Sequence, residues 1–199
     1  MGIRLEVDGI GYDLIERVVE RVQDIPGMFL EIGTRRGGSL QIIADKTLSI
    51  GVPRTIVSVD PYGNILYNDG RQITRYDYTN DMRNQALSDL YSYAIGKQIH
   101  LLAFTLTDHD FFNLFANGIP VYQNERRVLN QYAFAFLDGP HDAESILKEI
   151  EFLTPRMPRG ANIVIDNIDY FDLDYLLSKL ENIYIEIERN IQKIALCKL

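Results

Sequence analysis

The stretch FLEIGTRRGGSL, residues 29–40, begins as an apolar strand and breaks into glycines where a helix should start. A strand that runs into a bare turn and then a helix is the opening unit of a doubly wound α/β sheet, and the turn is where such sheets receive a ligand. The glycines here, Gly33, Gly37 and Gly38, read G-x-x-x-G-G. A dinucleotide fold carries G-x-G-x-x-G, and the second glycine that lets a pyrophosphate approach is missing from this chain. The rest of the sequence decides between cofactors.

Before this turn, residues 12–23 place Leu14, Ile15, Val18, Val19 and Val22 at helical spacing, a covering helix with a charged outer face. After it, Ser39 is the expected N-cap of a helix marked by Leu40, Ile43, Ala44 and Leu48 and ending near Gly51. RTIVSVD, QIHLLAF, YAFAFLD and ANIVID read as four further strands, nearly continuous in apolar residues, as a parallel sheet covered on both faces requires. Helices are expected over 81–95, 108–115, 146–153 and 173–180. NIYIEIERN and IQKIALCKL meet at Arg189 and Asn190 and read as an antiparallel hairpin that closes the sheet. The fold class is therefore α/β: a single Rossmann-like doubly wound sheet, mostly parallel, in one domain over residues 1–199.

Residues 62–80 lack periodicity and exceed the usual connection of about 4–6 residues. They are expected to form an irregular substrate loop or lid in which Tyr62 and Tyr67 offer flat apolar faces with polar tips to a sugar or an aromatic ring. Residues 117–130 are expected to be a second wall of the acceptor site.

A chain of 199 residues can bury about 70% of its unfolded surface and needs no covalent staple. The single Cys197 forms no internal disulfide and reads as a packed residue of the last strand, not a nucleophile. With no charged-then-apolar leader and no apolar run approaching about 18 residues, a cytoplasmic protein without membrane attachment is expected. The net charge of -8 disfavours nucleic acid as a partner and leaves a small molecule. It does not distinguish a monomer from a homodimer. Arg35 and Arg36, inside the glycine turn, face either a carboxylate or solvent.

Ligands of an open parallel sheet bind beyond the carboxyl ends of its strands, and here those ends are acidic. Glu31 runs into Gly33, Asp60 ends the second strand, Thr107 and Asp108 follow the third, Asp138 ends the fourth, and Asp166 with Asn167 ends the fifth. Asp60, 23 residues beyond Gly37, is placed to accept both hydroxyls of a ribose, which suits NAD and S-adenosylmethionine alike. The turn separates the two, because S-adenosylmethionine has no phosphate and needs only room to cross the strand ends. Gly33, Thr34, Arg35, Gly37 and Ser39 then border the cofactor with Asp60, Thr107 and Asp108, while Glu31 or Asp138 faces its ammonium or sulfonium.

The runs E-I-G-T-R-R-G-G-S, VSVDPYG and FLDGPH, with DN 28 residues after Asp138, resemble the class I S-adenosylmethionine-dependent methyltransferases. Among these the chain is similar to the small metal-dependent O-methyltransferases of the catechol and macrocin types, over roughly residues 29–167. The resemblance implies methyl transfer to a hydroxyl of a sugar or phenolic diol, and a reversed seventh strand made by the terminal hairpin. It further implies Mg²⁺ held by Asp138, Asp166 and Asn167, hard oxygen donors that suit this ion, which would acidify the bound hydroxyl. The alternative, in which Asp138 only opens a D-G turn and Asp166 caps a helix, stays open. His141, where catechol-type enzymes carry a lysine, is the expected general base, since an imidazole accepts protons near neutral pH. D-G-x-H is similar to the macrocin type and DN to the catechol type. His100 reads as a structural strand residue and His109 as bordering the adenine. Two rival readings are a catalytically silent methyltransferase shell that binds a partner, and an NAD-dependent oxidoreductase. The latter lacks both its glycine turn and a Tyr-x-x-x-Lys pair.

Overall fold

The computed structural model describes residues 4–7, 9–68, 73–122 and 124–199, with the backbone alone at 64, 67, 68 and 74–77. In chain order its first half holds α1 (Tyr12–Arg21), β1 (Met28–Ile32), α2 (Gly38–Ser49), β2 (Ile56–Val59), β3 (Gly63–Asn68), β4 (Ile73–Tyr78) and α3 (Asn80–Lys97). Next come β5 (Leu101–Phe104), α4 (Asp108–Leu114), β6 (Ile119–Tyr122), β7 (Arg126–Leu129), β8 (Tyr132–Leu137) and α5 (Ala143–Leu153). β9 (Asn162–Ile165), α6 (Leu173–Leu180), β10 (Tyr184–Arg189) and β11 (Ile194–Lys198) complete it.

Seven strands form one sheet in the order β10-β11-β9-β8-β1-β2-β5. β1 pairs in parallel with β2 on one side and β8 on the other. Only β11 runs against the rest, pairing antiparallel with both β9 and β10. The chain leaves β1 toward β2 and β5 in one direction and returns at β8 to grow the other way, so the loops after β1 and β8 part and open a crevice between them.

The run YAFAFL of β8 shows why the sheet is buried on both sides. Its alternate residues Phe134 and Phe136 pack in the layer of α1, α2 and α3, while Ala135 and Leu137 pack in the layer of α4, α5 and α6. The apolar stripe of α1 contributes Leu14, Ile15, Val18 and Val19, all fully buried and each stabilising by about 1.5–3 kcal/mol.

The structure departs from the sequence reading in four places. The described residues of 62–80 are not irregular: β3 and β4 pair antiparallel from Gly63↔Tyr78 to Asn68↔Ile73. The runs GNILYN and ITRYDY mix polar and aromatic residues without alternation, which hid the strands. Residues 117–130 also hold a hairpin, β6–β7, whose Ile119 and Val121 pack in the core with Phe111. Ser39 does not cap α2. Gly37 is the N-cap, in the left-handed region at φ 80° that glycine adopts without strain, and a β-carbon there would lie 2.5 Å from the Leu90 side chain of α3. The last turn spans residues 190–193, where Asn190 Oδ1 accepts the amides of Gln192 and Lys193 at 2.9 and 2.7 Å. Among the described residues no helix is long and apolar enough to cross a membrane.

Candidate active site

A cavity of about 700 Å³ opens beyond the carboxyl ends of the central strands, a size common for small-molecule sites. Gly33, Thr34, Arg35 and Ser39 border it from the glycine turn, with Asp60 and Tyr62 beside them. Thr107 and Asp108 line it after β5, Asp138 and His141 after β8, and Asp166 and Asn167 after β9. Two expected cofactor residues do not line it. Glu31 is fully buried within β1, and Gly37 packs against Leu90. The Tyr67 side chain lies outside the described residues. His109 is exposed beside Asn113 and away from the cavity, and His100 precedes β5, its Nδ1 3.0 Å from Thr55 Oγ1. Among the described residues, 117–130 contribute nothing to the cavity; residues 128–131 lie beside Gly27 and Arg54 at the opposite end of the sheet.

The bareness of the turn is explained by protein contacts. A β-carbon on Gly33, at φ 85°, would fall 2.0 Å from the Asp138 carbonyl oxygen. One on Gly38 would fall 2.2 Å from the carbonyl oxygen of Glu6. The turn is thus clamped between the end of β8 and the N-terminal segment, whose Glu6 pairs with Arg36 at 2.8 Å and Arg35 at 3.5 Å. Asp60 ties the turn to β2. Its Oδ2 accepts the Arg35 amide at 2.7 Å and its Oδ1 the Tyr62 amide at 2.8 Å, while burial raises its carboxyl above the usual range and these backbone bonds oppose the rise. Tyr62 is buried and its hydroxyl donates to the Arg35 carbonyl at 2.7 Å, so it holds the turn from beneath. Thr107 caps α4, accepting from the Asp110 amide at 3.0 Å.

Across the crevice, Asn167 Nδ2 stands 3.2 Å from His141 Nε2, and the Tyr170 ring meets the imidazole edge-on with centroids 5.7 Å apart. Asn167 itself is left-handed at φ 53°, a conformation asparagine tolerates, and its amide donates to Asp166 Oδ1 at 2.8 Å. That same oxygen accepts from Lys193 Nζ at 2.8 Å, and the lysine is fully buried. The ammonium also donates to the Ile10 carbonyl at 2.9 Å and sits over the rings of Tyr12 and Phe136 at 4.7 and 5.9 Å. Beneath the D-G turn lies Glu149 of α5, with Oε1 3.5 Å from where a Gly139 β-carbon would be. Neither of its oxygens has a hydrogen-bond partner among the described residues, and burial, reinforced by Asp108 and Asp142, pushes its carboxyl well above the usual range.

Sequence reasoning missed Lys193 and Glu149. The one signal for Lys193 is a cation opening the apolar run KIALC; Glu149 reads as one more polar position of an amphipathic helix.

Residues 30–168 match the model of a family described as a methyltransferase domain. No curated protein matches the chain by sequence. Among solved structures it is similar to CalS11, a calicheamicin methyltransferase, with 16% identity over 94% of this chain and 77% of that one, and a TM-score of 0.65. It is also similar to an O-methyltransferase from Bacillus cereus in complex with S-adenosylhomocysteine, at 16% identity over 97% and 83%, TM-score 0.56. An rRNA methylase from Streptococcus thermophilus aligns at 11% identity over 98% and 99%, TM-score 0.58. These likenesses concern the fold; the family match spans both walls of the crevice, from β1 through Asn167. The chain belongs to the methyltransferase-domain family, and its fold is that of the methyltransferases it resembles.

Proposed function

We propose that the chain transfers the methyl group of S-adenosylmethionine to a hydroxyl of a small molecule, with His141 as general base. One observation carries this reading: a single cavity joins Asp60, after β2, to the His141 imidazole, after β8. The residues fit the cofactor, because Asp60 is a carboxylate that borders the cavity at the end of β2, with its two oxygens fixed by the Arg35 and Tyr62 amides where a ribose hydroxyl can reach it. When bound, S-adenosylmethionine supplies an electrophilic methyl group.

The protein's part is positioning and one proton. The Asn167 side-chain amide stands 3.2 Å from His141 Nε2 and holds the imidazole at the cavity wall. Bringing acceptor and donor into line supplies most of the rate gain, with no covalent enzyme intermediate. The β3–β4 hairpin adds Ile65, Leu66 and Tyr78 to the cavity wall and is the acceptor-reading lid. CalS11 is described as a TDP-rhamnose 3′-O-methyltransferase, which puts nucleotide-linked sugars first among acceptors to try, before phenolic diols.

Mg²⁺ does not fit the donor set. Asp166, one of three expected ligands, already gives an oxygen to the buried Lys193 ammonium. No catalytic step is therefore assigned to the ion.

The test is calorimetric titration with S-adenosylhomocysteine, then transfer of tritiated methyl from S-adenosylmethionine to a panel of nucleotide sugars and catechols. The reading expects tight binding by the wild type and by His141→Ala, with turnover lost only in the latter. Equal turnover in His141→Ala removes the histidine from its role, and absence of S-adenosylhomocysteine binding removes the cofactor assignment.

A further inference from the structure

We infer that Lys193 is the resident cation of this site, and that it keeps the strand-end acids Asp138 and Asp166 from holding a divalent metal ion. The inference rests on reading the cavity as the methyl-transfer site, since it concerns what balances the charge there.

Lys193 is a complete cation site built from one chain. Its ammonium is wholly withdrawn from solvent, which is costly unless every donor and the charge find partners. They do: Asp166 Oδ1 lies at 2.8 Å, the Ile10 carbonyl at 2.9 Å, and two aromatic faces, Tyr12 and Phe136, cover the remainder. The Asn190 turn fixes the lysine backbone, and the N-terminal segment is stitched to the same turn by Asn190 Nδ2 donating to the Gly11 carbonyl at 3.2 Å. The cation is thus held by groups from three distant parts of the chain and cannot swing aside without exposing a buried carboxylate.

The consequence falls on Asp166. Its charge is balanced, and Oδ1 already accepts two hydrogen bonds, from Lys193 and from the Asn167 amide. A metal bound to the other oxygen would meet a fixed positive charge across the same carboxylate. Of the expected donor set only Asp138 brings a formal charge that Lys193 does not address, and Mg²⁺ gives up its hydration water reluctantly for so little. Asp166 is therefore a positioning residue: it anchors Lys193 and, through Oδ1, the left-handed Asn167 that holds His141.

Mn²⁺, followed by its electron spin resonance signal, is the probe. The wild-type chain is expected to show no saturable binding tighter than about 1 mM. Lys193→Met is expected to gain a single site at least about tenfold tighter, lost again in Lys193→Met/Asp138→Asn. Wild-type binding at one site tighter than that limit and abolished by Asp138→Asn overturns the inference. So does a folded Lys193→Met that gains no site. If circular dichroism shows Lys193→Met unfolded, the wild-type titration decides by itself, absence of the site supporting the inference and its presence overturning it. S-adenosylhomocysteine calorimetry on the same wild-type sample tests the methyltransferase reading separately, because it is blind to the metal.

Discussion

The Arg35 amide donates to Asp60 Oδ2 at 2.7 Å, so the acid expected to receive the ribose also holds the glycine turn in place. The two roles separate by substitution. Asp60→Asn keeps the shape and an acceptor oxygen for one amide but weakens the hold on two hydroxyls, and is expected to lower S-adenosylhomocysteine affinity by about 10- to 100-fold. Asp60→Ala also strands the Arg35 and Tyr62 amides and is expected to cost a further 1–3 kcal/mol or so of folding stability. Calorimetry and thermal unfolding of the two variants measure each part. Unchanged affinity in Asp60→Asn would remove the ribose role.

Gly33 is fixed by the backbone of Asp138, not by a ligand. Gly33→Ala brings a β-carbon to 2.0 Å from that carbonyl in a left-handed conformation, and both strains act at the centre of the sheet. A loss above about 3 kcal/mol is expected, enough to unfold a marginal domain. Gly96→Ala is the control: it lies in α3 with open space around it and is expected to stabilise by about 0.5–1 kcal/mol. Urea denaturation of both variants would reveal the contrast, and a small effect at Gly33 would mean the two strand ends can part.

These contacts mark the boundary of what the sequence discloses. β1, β2, β8 and β9 were legible because buried parallel strands announce themselves as short apolar runs, and Asp60, Asp138 and Asp166 because they end those runs. The β3–β4 hairpin was not, since its runs carry no two-residue alternation of polarity. Nor was Lys193: its partners Asp166 and Ile10 stand 27 and 183 residues away in the chain, and only the reversal of β11 beside β9 brings them together. Pairing across such distances is a property of topology, and a local pattern does not carry it. The same holds for Gly33, whose restriction comes from β8.

Glu149 should make stability fall as pH rises. Its folded carboxyl titrates above its unfolded value, so the folded state keeps the proton longer. Below the unfolded value, about 4.3, both states are protonated and no difference arises. As pH climbs above it, the unfolded chain ionises and is favoured, until the folded carboxyl follows. Glu149→Gln does not titrate. Its advantage over the wild type is expected to be smallest near pH 4 and to grow toward pH 8, reaching several degrees of melting temperature at about 2–4 °C per kcal/mol. A difference independent of pH would show that the carboxyl is not held neutral.

Leu66 is 66% exposed although it borders the cavity, which fits a residue that meets the acceptor only when one is bound. Leu66→Ser is expected to raise the acceptor KM several-fold and to leave S-adenosylhomocysteine affinity unchanged, since an apolar contact of this kind is worth about 1–2 kcal/mol. Loss of cofactor affinity instead would assign the hairpin to the other half of the crevice.

Asn167 acts through His141, and that role can be separated from a structural one. Alanine at φ 53° costs about 1 kcal/mol by itself and also frees the imidazole from its 3.2 Å partner. Asn167→Ala is expected to lower kcat by about 10- to 100-fold with little change in S-adenosylhomocysteine binding, because the proposed base is no longer held in place. Asn167→Asp replaces the amide donor with an acceptor and places a negative charge beside the ring. The charged imidazolium is then favoured, so the acid limb of the kcat profile is expected to move to higher pH while part of the rate returns. A pH–rate series on the three proteins decides the matter. If Asn167→Asp tracks Asn167→Ala at every pH, the asparagine merely shapes the loop, and His141 is oriented by Tyr170.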